Sequence, residues 1–184
     1  MRLRRYSSAA AACIALALAA GGCSTGRPNG AAREGLDVQL AGLAYNVYIT
    51  RELNLRNAED RGYYRGPEAP PGYALYGVFV RVCNTRSGFR TPLATFTIED
   101  NQGNQFHPLP LPADNVFAYR PRVLSHNACI PETGSAAADG PTGGALLIYK
   151  FPLTALENRP LEMVIQARSG PAAPPHSKRI ELDI

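Results

Sequence analysis

The sequence predicts an all-β protein, an antiparallel β-sandwich of about seven strands. Three observations predict it. Short segments rich in Val, Ile, Tyr, Phe and Thr alternate apolar with polar residues at period two. The spacers between them are made of turn formers. Sixteen prolines and seventeen glycines punctuate the chain, and no segment beyond the N-terminal leader keeps a helical period.

Residues 36–50 place Val38, Leu40, Leu43, Tyr45, Val47 and Ile49 between polar or small residues. This is a strand pair, or one long strand bent at Ala41-Gly42. Residues 73–84 put Tyr76, Val78, Val80 and Val82 on one face and Phe79, Arg81 and Cys83 on the other. Residues 91–99 alternate Ala94, Phe96 and Ile98 with Thr95, Thr97 and Glu99. The run Asp100-Asn101-Gln102-Gly103-Asn104 supplies a tight turn, and residues 105–109 its hairpin partner. Phe117 and Tyr119 mark a short strand, and the apolar run 145–151 reads as a buried one. Leu161, Met163, Ile165 and Ala167 oppose Glu162, Gln166 and Arg168, and residues 180–184 alternate to the end of the chain.

Ahead of this lies a different kind of segment. Arg2, Arg4 and Arg5 precede an uncharged run from residue 9 to 20. A basic start and a short apolar stretch make an export signal. Twelve residues cannot cross a bilayer as a helix, which needs about twenty. The run closes on Ala20-Gly21-Gly22-Cys23, which resembles the lipobox of bacterial lipoproteins, with Ala20 where that family usually has Leu. The resemblance implies cleavage after Gly22, a thioether lipid on Cys23 and acylation of the new amine by a fatty acid such as palmitate. The competing reading is an ordinary secreted chain cut near Gly22, with Cys23 a free thiol. Ser24, rather than Asp, after the cysteine favours the outer membrane in a two-membrane cell, by analogy with lipoprotein sorting. The organisation expected is a signal peptide at 1–22, a lipidated cysteine and small-residue tether at 23–35, and one domain at 36–184.

Charge excludes one class of partner. Three of the 19 Lys and Arg, and none of the 15 Asp and Glu, lie before Cys23, so the mature chain balances 16 cations against 15 anions. Nucleic-acid binding is not expected. Cys13 leaves with the leader, and Cys83 and Cys129 form an even pair in an oxidising compartment, where a disulfide is the default. The alternative is a copper or zinc site in which Cys83 and Cys129 remain thiolates beside His107 and His126.

Catalysis is not expected, nor a cofactor. Ser125-His126 are adjacent in sequence and do not make a triad, Glu99-Asp100 fall at a turn, and Glu59-Asp60 read as solvated charges. No phosphate-binding loop, dinucleotide fingerprint or zinc repeat occurs.

The segments Tyr76-Gly77-Val78-Phe79-Val80-Arg81-Val82, ending in Asn84, and Phe96-Thr97-Ile98-Glu99-Asp100, with the Gly103 turn and the closing strand, resemble the immunoglobulin-like domains of bacterial secreted and lipid-anchored proteins. The immunoprotective extracellular family is one of these. The resemblance implies a non-catalytic envelope protein that works by binding or structural contact, either to membrane lipid through Cys23 or to another envelope protein. Candidate contact residues sit in the long connections. Residues 51–72 hold Tyr63, Tyr64 and Arg65, and residues 84–91 hold Arg86, Phe89 and Arg90. Residues 111–144 add Arg120 and Arg122. Tyr and Arg are enriched at binding hot spots. They are equally at home as the rim of a core, and composition leaves both readings open.

Overall fold

The computed structural model describes residues 30–168 and 174–184; the leader, Cys23 and most of the expected tether lie outside them. In chain order the strands are β1 (Ala32–Arg33), β2 (Val38–Leu40), β3 (Leu43–Glu52), β4 (Tyr73–Cys83) and β5 (Thr95–Glu99). They continue as β6 (Gln105–Phe106), β7 (Cys129–Ile130), β8 (Ala145–Pro152), β9 (Glu162–Arg168) and β10 (Pro175–Glu181). Two short helices, α1 (Ala58–Tyr63) and α2 (Ala136–Asp139), and a 3-10 turn at Leu153–Glu157 complete the described elements. Sheet I has the order β1-β10-β9-β5-β6, and sheet II the order β2-β3-β4, with β7 and β8 both paired to the open side of β4. Every pairing is antiparallel except that of β1 with β10. The fold is the all-β sandwich expected. The strand count exceeds the expectation because β1 and β7 are two-residue stretches, too short for an alternation to show.

The main core lies between the sheets. Ala74, Tyr76, Val78, Val80 and Val82 of β4 and Ala145, Leu147, Tyr149 and Phe151 of β8 meet Phe96, Ile98, Met163, Ile165 and Ala167 of sheet I. Burying each large apolar side chain here contributes about 1.5–3 kcal/mol. The bend foreseen at Ala41-Gly42 is a two-residue hairpin turn joining β2 to β3, with both residues at positive φ (50° and 79°).

Sheet II is covered on its second face as well. Leu75 and Phe79 of β4 and Leu146 and Ile148 of β8 point away from sheet I and form a second buried cluster with Leu53, Leu55, Tyr63 and Tyr64. That is why residues 145–149 are apolar without a break: this part of the strand is buried on both faces, and Lys150 after it is exposed. A bulge at Tyr48 makes the switch. Val47 opposes Val80 but Ile49 opposes Phe79, so the parity of β3 reverses and Leu53 reaches the outer cluster. Ile49 therefore lies on the outer face, not on the Val47 face that simple alternation gives it.

The segment expected to be a long patternless loop at 51–72 is the outer cover. The Asn57 side chain caps α1 by accepting from the Glu59 backbone N–H at 3.0 Å. The buried Asp60 carboxylate accepts from the Asn54 backbone N–H at 2.8 Å and from the Arg51 guanidinium, which also lies 5.9 Å over the Tyr63 ring. Tyr63 is held edge-on by Phe79 at 5.1 Å and Phe117 at 4.8 Å. Tyr64 folds back over Gly66, leaving no room there for a Cβ.

Several boundaries differ from expectation. The tether does not run to residue 35: β1 already pairs with β10, and the Glu34 carboxylate accepts from the backbone N–H groups of Thr50 (2.7 Å) and Asp183 (3.2 Å), linking both sheets. The partner of the 100–104 turn is only Gln105–Phe106, because Pro108 cannot extend the ladder. Phe117 and Tyr119 form no strand; Ala118 between them makes a single bridge to Leu146.

Candidate functional site

One end of the sandwich is built from the Ala41-Gly42 turn, the connection from β4 to β5, the end of β9 and the start of β10. An open groove of about 930 Å³ lies between them. Arg86, Arg90 and Arg168 line it together with Phe89, Leu93 and Pro175, and Tyr45 lies at its floor. Phe89 is 79% exposed and Leu93 73%, the two most exposed of the large apolar side chains among the described residues.

The loop that carries these residues is pinned by Asn84, which is fully buried. Its side-chain amide donates to the carbonyls of Gly88 (2.8 Å) and Leu124 (3.1 Å), and its side-chain carbonyl accepts from the Arg86 backbone N–H at 3.1 Å. Its own backbone pairs with Ala128 and Asn127. Arg90 then exchanges backbone hydrogen bonds with Leu124 at 2.9 and 2.7 Å. The His126 ring lies 3.2 Å from the Arg86 carbonyl. A groove wall made of irregular backbone is thereby fixed without a strand.

The electrostatics of this end are one-signed. No carboxylate among the described residues lines the groove. Among the described residues Arg51, Arg56, Arg122 and Arg179 pair with carboxylates, whereas Arg86, Arg90 and Arg168 do not. The Arg90 guanidinium lies across the β2–β3 turn, so close that a Cβ on Gly42 would come within 2.9 Å of its carbon, and its Nε is buried without a partner. Beneath it the Tyr45 and Tyr119 hydroxyls are buried and unpartnered, with Phe96 edge-on to both rings. Burial pushes the Tyr45 phenol up to about 12. It raises Tyr119 too, helped by the neighbouring Tyr45.

The structure distributes the sequence candidates unevenly. Arg86, Phe89 and Arg90 come together at the groove. Tyr63 and Tyr64 are buried at 3% and 9% exposure, so their reading as exposed contact residues is corrected: the outward faces of Leu75 and Phe79 need a cover, and the tyrosines supply it. Arg65 is exposed beside Asp114, away from the groove lining. Arg120 donates to the carbonyls of Leu111 and Pro112, and Arg122 to that of Cys129. Cys83 and Cys129 stand opposite each other on β4 and β7 and form the expected disulfide. The metal alternative loses both thiolates to that bond. His107 is beside Thr97 on sheet I and His126 beside Arg86, and no group of three or more potential ligands gathers among the described residues. Asn84 and Arg168 are site residues that the sequence alone does not single out. An Asn just after the last apolar residue of a strand, before a Gly-containing loop, is the signal available for the first.

No family model matches the chain, and no curated protein matches it. Among solved structures, the candidate lipoprotein ycdA of Bacillus subtilis strain 168 superposes with a TM-score of 0.48 at 8% identity, over 80% of this chain and 38% of that one. The chain thus spans well under half the length of that protein. The likeness is loose, and the groove is interpreted on its own residues.

Proposed function

We propose that the protein is a lipid-anchored, extracytoplasmic envelope protein that acts by binding or structural contact through the groove end of its sandwich, without catalysis. The observation that carries the contact reading is the groove itself. Three arginines with no ion-pair partner among the described residues and two outward apolar side chains are displayed on a loop and strand end that a buried asparagine helps fix in place. Unpaired arginines beside exposed aromatic surface are the chemistry of recognition. Among the described residues the lining offers Thr and Tyr hydroxyls but no histidine, thiol or carboxylate to act as a base, which favours binding over turnover. The lipobox-like Ala20-Gly21-Gly22-Cys23 supports the anchor, and the Cys83–Cys129 disulfide suits an oxidising compartment.

Intact mass spectrometry of the chain extracted from membranes tests the anchor. The expected chain begins at Cys23 and carries a diacylglyceryl group and a fatty acyl group; a chain retaining Met1, or an unmodified Cys23, contradicts it. A photo-crosslinking residue at position 89 tests the contact. It should give adducts in intact cells that the same probe at position 65 does not give, and equal or absent adducts at both positions would overturn the groove reading.

A further inference from the structure

The path of the backbone permits the groove end to face the bilayer of the proposed anchor. Sheet I ends at β1, which pairs in parallel with β10 through Ala32 opposite Ile180. The groove lies at the end where β10 begins, at Pro175, five residues from Ile180 and about 17 Å away along the strand. Because the two strands run the same way, β1 enters the sheet from the groove side. Ala32 stands nine residues after Cys23, a reach of at most about 32 Å, enough to set that end on the membrane and too little to hold the domain far from it.

Charge gives the molecule a matching polarity. The groove lining is cationic. At the opposite end acids outnumber cations in the clefts: Glu181 and Asp183 beside Arg159 in one, Glu52 and Glu68 in another, Glu99, Asp100 and Glu162 around Arg179 in a third. A negatively charged surface attracts the first end and repels the second. Phe89 and Leu93 are the two most exposed large apolar side chains among the described residues, and Val123, beside the Arg90–Leu124 bridge, is more than half exposed.

The geometry points to this end as a membrane-contact face, with Arg86, Arg90 and Arg168 on lipid phosphates and Phe89 and Leu93 in the headgroup layer. Aromatic side chains flanked by arginine suit that interface. The face fixes the orientation of the domain, presenting its acidic end away from the bilayer. The proposal rests on the anchored reading and goes beyond it, since an anchor alone leaves the domain free to tumble.

The chain has no tryptophan, so a single introduced one reports its own surroundings. Phe89→Trp and, at the opposite end, Leu153→Trp are made in the full chain, purified from membranes and reconstituted into vesicles of phosphatidylcholine with phosphatidylglycerol, with and without brominated lipid. Both positions are exposed, at 79% and 49%, so neither change disturbs the core. The indole of F89W should shift to the blue and lose emission to brominated lipid, while that of L153W does neither. Adding Arg86→Glu with Arg168→Glu to F89W should abolish the shift. Equal behaviour of the two single variants overturns the proposal. So does an F89W emission that responds to soluble poly-glutamate and not to the vesicles, a result that would assign the groove to an acidic peptide. The mass of the same preparations separates the two failures. Lipid on Cys23 with an unresponsive F89W removes the orientation and leaves the anchor, whereas an unmodified Cys23 removes the anchor and the proposal with it.

Discussion

The outer faces of the two sheets follow the same alternation and meet opposite fates. Sheet II turns Leu75, Phe79, Leu146 and Ile148 outward, and the chain covers them with α1, Tyr63, Tyr64 and Phe117. Sheet I turns out Thr95, Thr97, Glu99, Glu162, Val164 and Arg179, and among the described residues no second apolar cluster forms over them, although Glu162 and Val164 are themselves buried. There the charges satisfy one another: the Arg179 guanidinium donates to Glu162 at 2.9 Å and meets Glu99 at 2.6 Å. An outward residue therefore decides whether a connection becomes architecture. The 51–72 segment is committed to packing, and the 84–94 loop, whose Phe89 and Leu93 face solvent, is left for contact.

The largest effect should come from emptying the outer cluster. Phe79→Ala removes a fully buried ring that Tyr63 packs against, and should cost about 3–5 kcal/mol in denaturant unfolding. A loss near zero would mean the cover is loose. Cys129→Ser opens a disulfide spanning 46 residues and should cost up to about 4 kcal/mol in the chain-entropy model, measured on the same curves. Asn84→Ala should cost about 2–3 kcal/mol by stranding the carbonyls of Gly88 and Leu124, and should also weaken cross-linking from position 89. A loss of stability without a change at position 89 would show that the loop holds its shape unaided.

Two pH effects sharpen the contrast between the ends. Burial raises the Tyr45 phenol from 10.0 to about 12, so the folded state favours its neutral form. That stability is complete below pH 10 and is lost as pH rises toward 12, so alkaline unfolding should be accompanied by late tyrosinate absorbance. At the acidic end burial pushes the Asp100 carboxyl up, but donors from Asn104, Asn158 and Gln102 outweigh it and hold it below the ordinary carboxylate range. Its contribution is present above the unfolded value and is lost as pH falls through the lower, folded one. Asn104→Ala should weaken that acid resistance slightly, seen as an acid-unfolding midpoint at higher pH.

Much of the fold is legible in the residues. Val78, Val80 and Val82, or Ala94, Phe96 and Ile98, can serve one face only, and the structure places them there, with Ala94 partly buried at the edge of that core. What alternation cannot show is an inserted residue: Tyr48 looks like any strand tyrosine, yet it reverses the parity of everything after it. The tyrosines at 63 and 64 mislead for a related reason. Tyr suits a contact surface and a core rim equally, and the discriminating fact lies elsewhere, in Leu75 and Phe79 facing outward. The groove is half legible. Arg86, Phe89 and Arg90 are neighbours in sequence, but Arg168, Gly42 and Pro175 reach them only through the sheet order.

Thermal unfolding of Tyr63→Ala beside Phe89→Ala tests this division of labour most directly. Tyr63→Ala should lower the melting temperature by roughly 10 °C, given about 2–4 °C per kcal/mol for a domain of this size. Phe89→Ala should leave it unchanged. Equal losses, or a larger one from position 89, would contradict the assignment of one segment to the core and the other to contact.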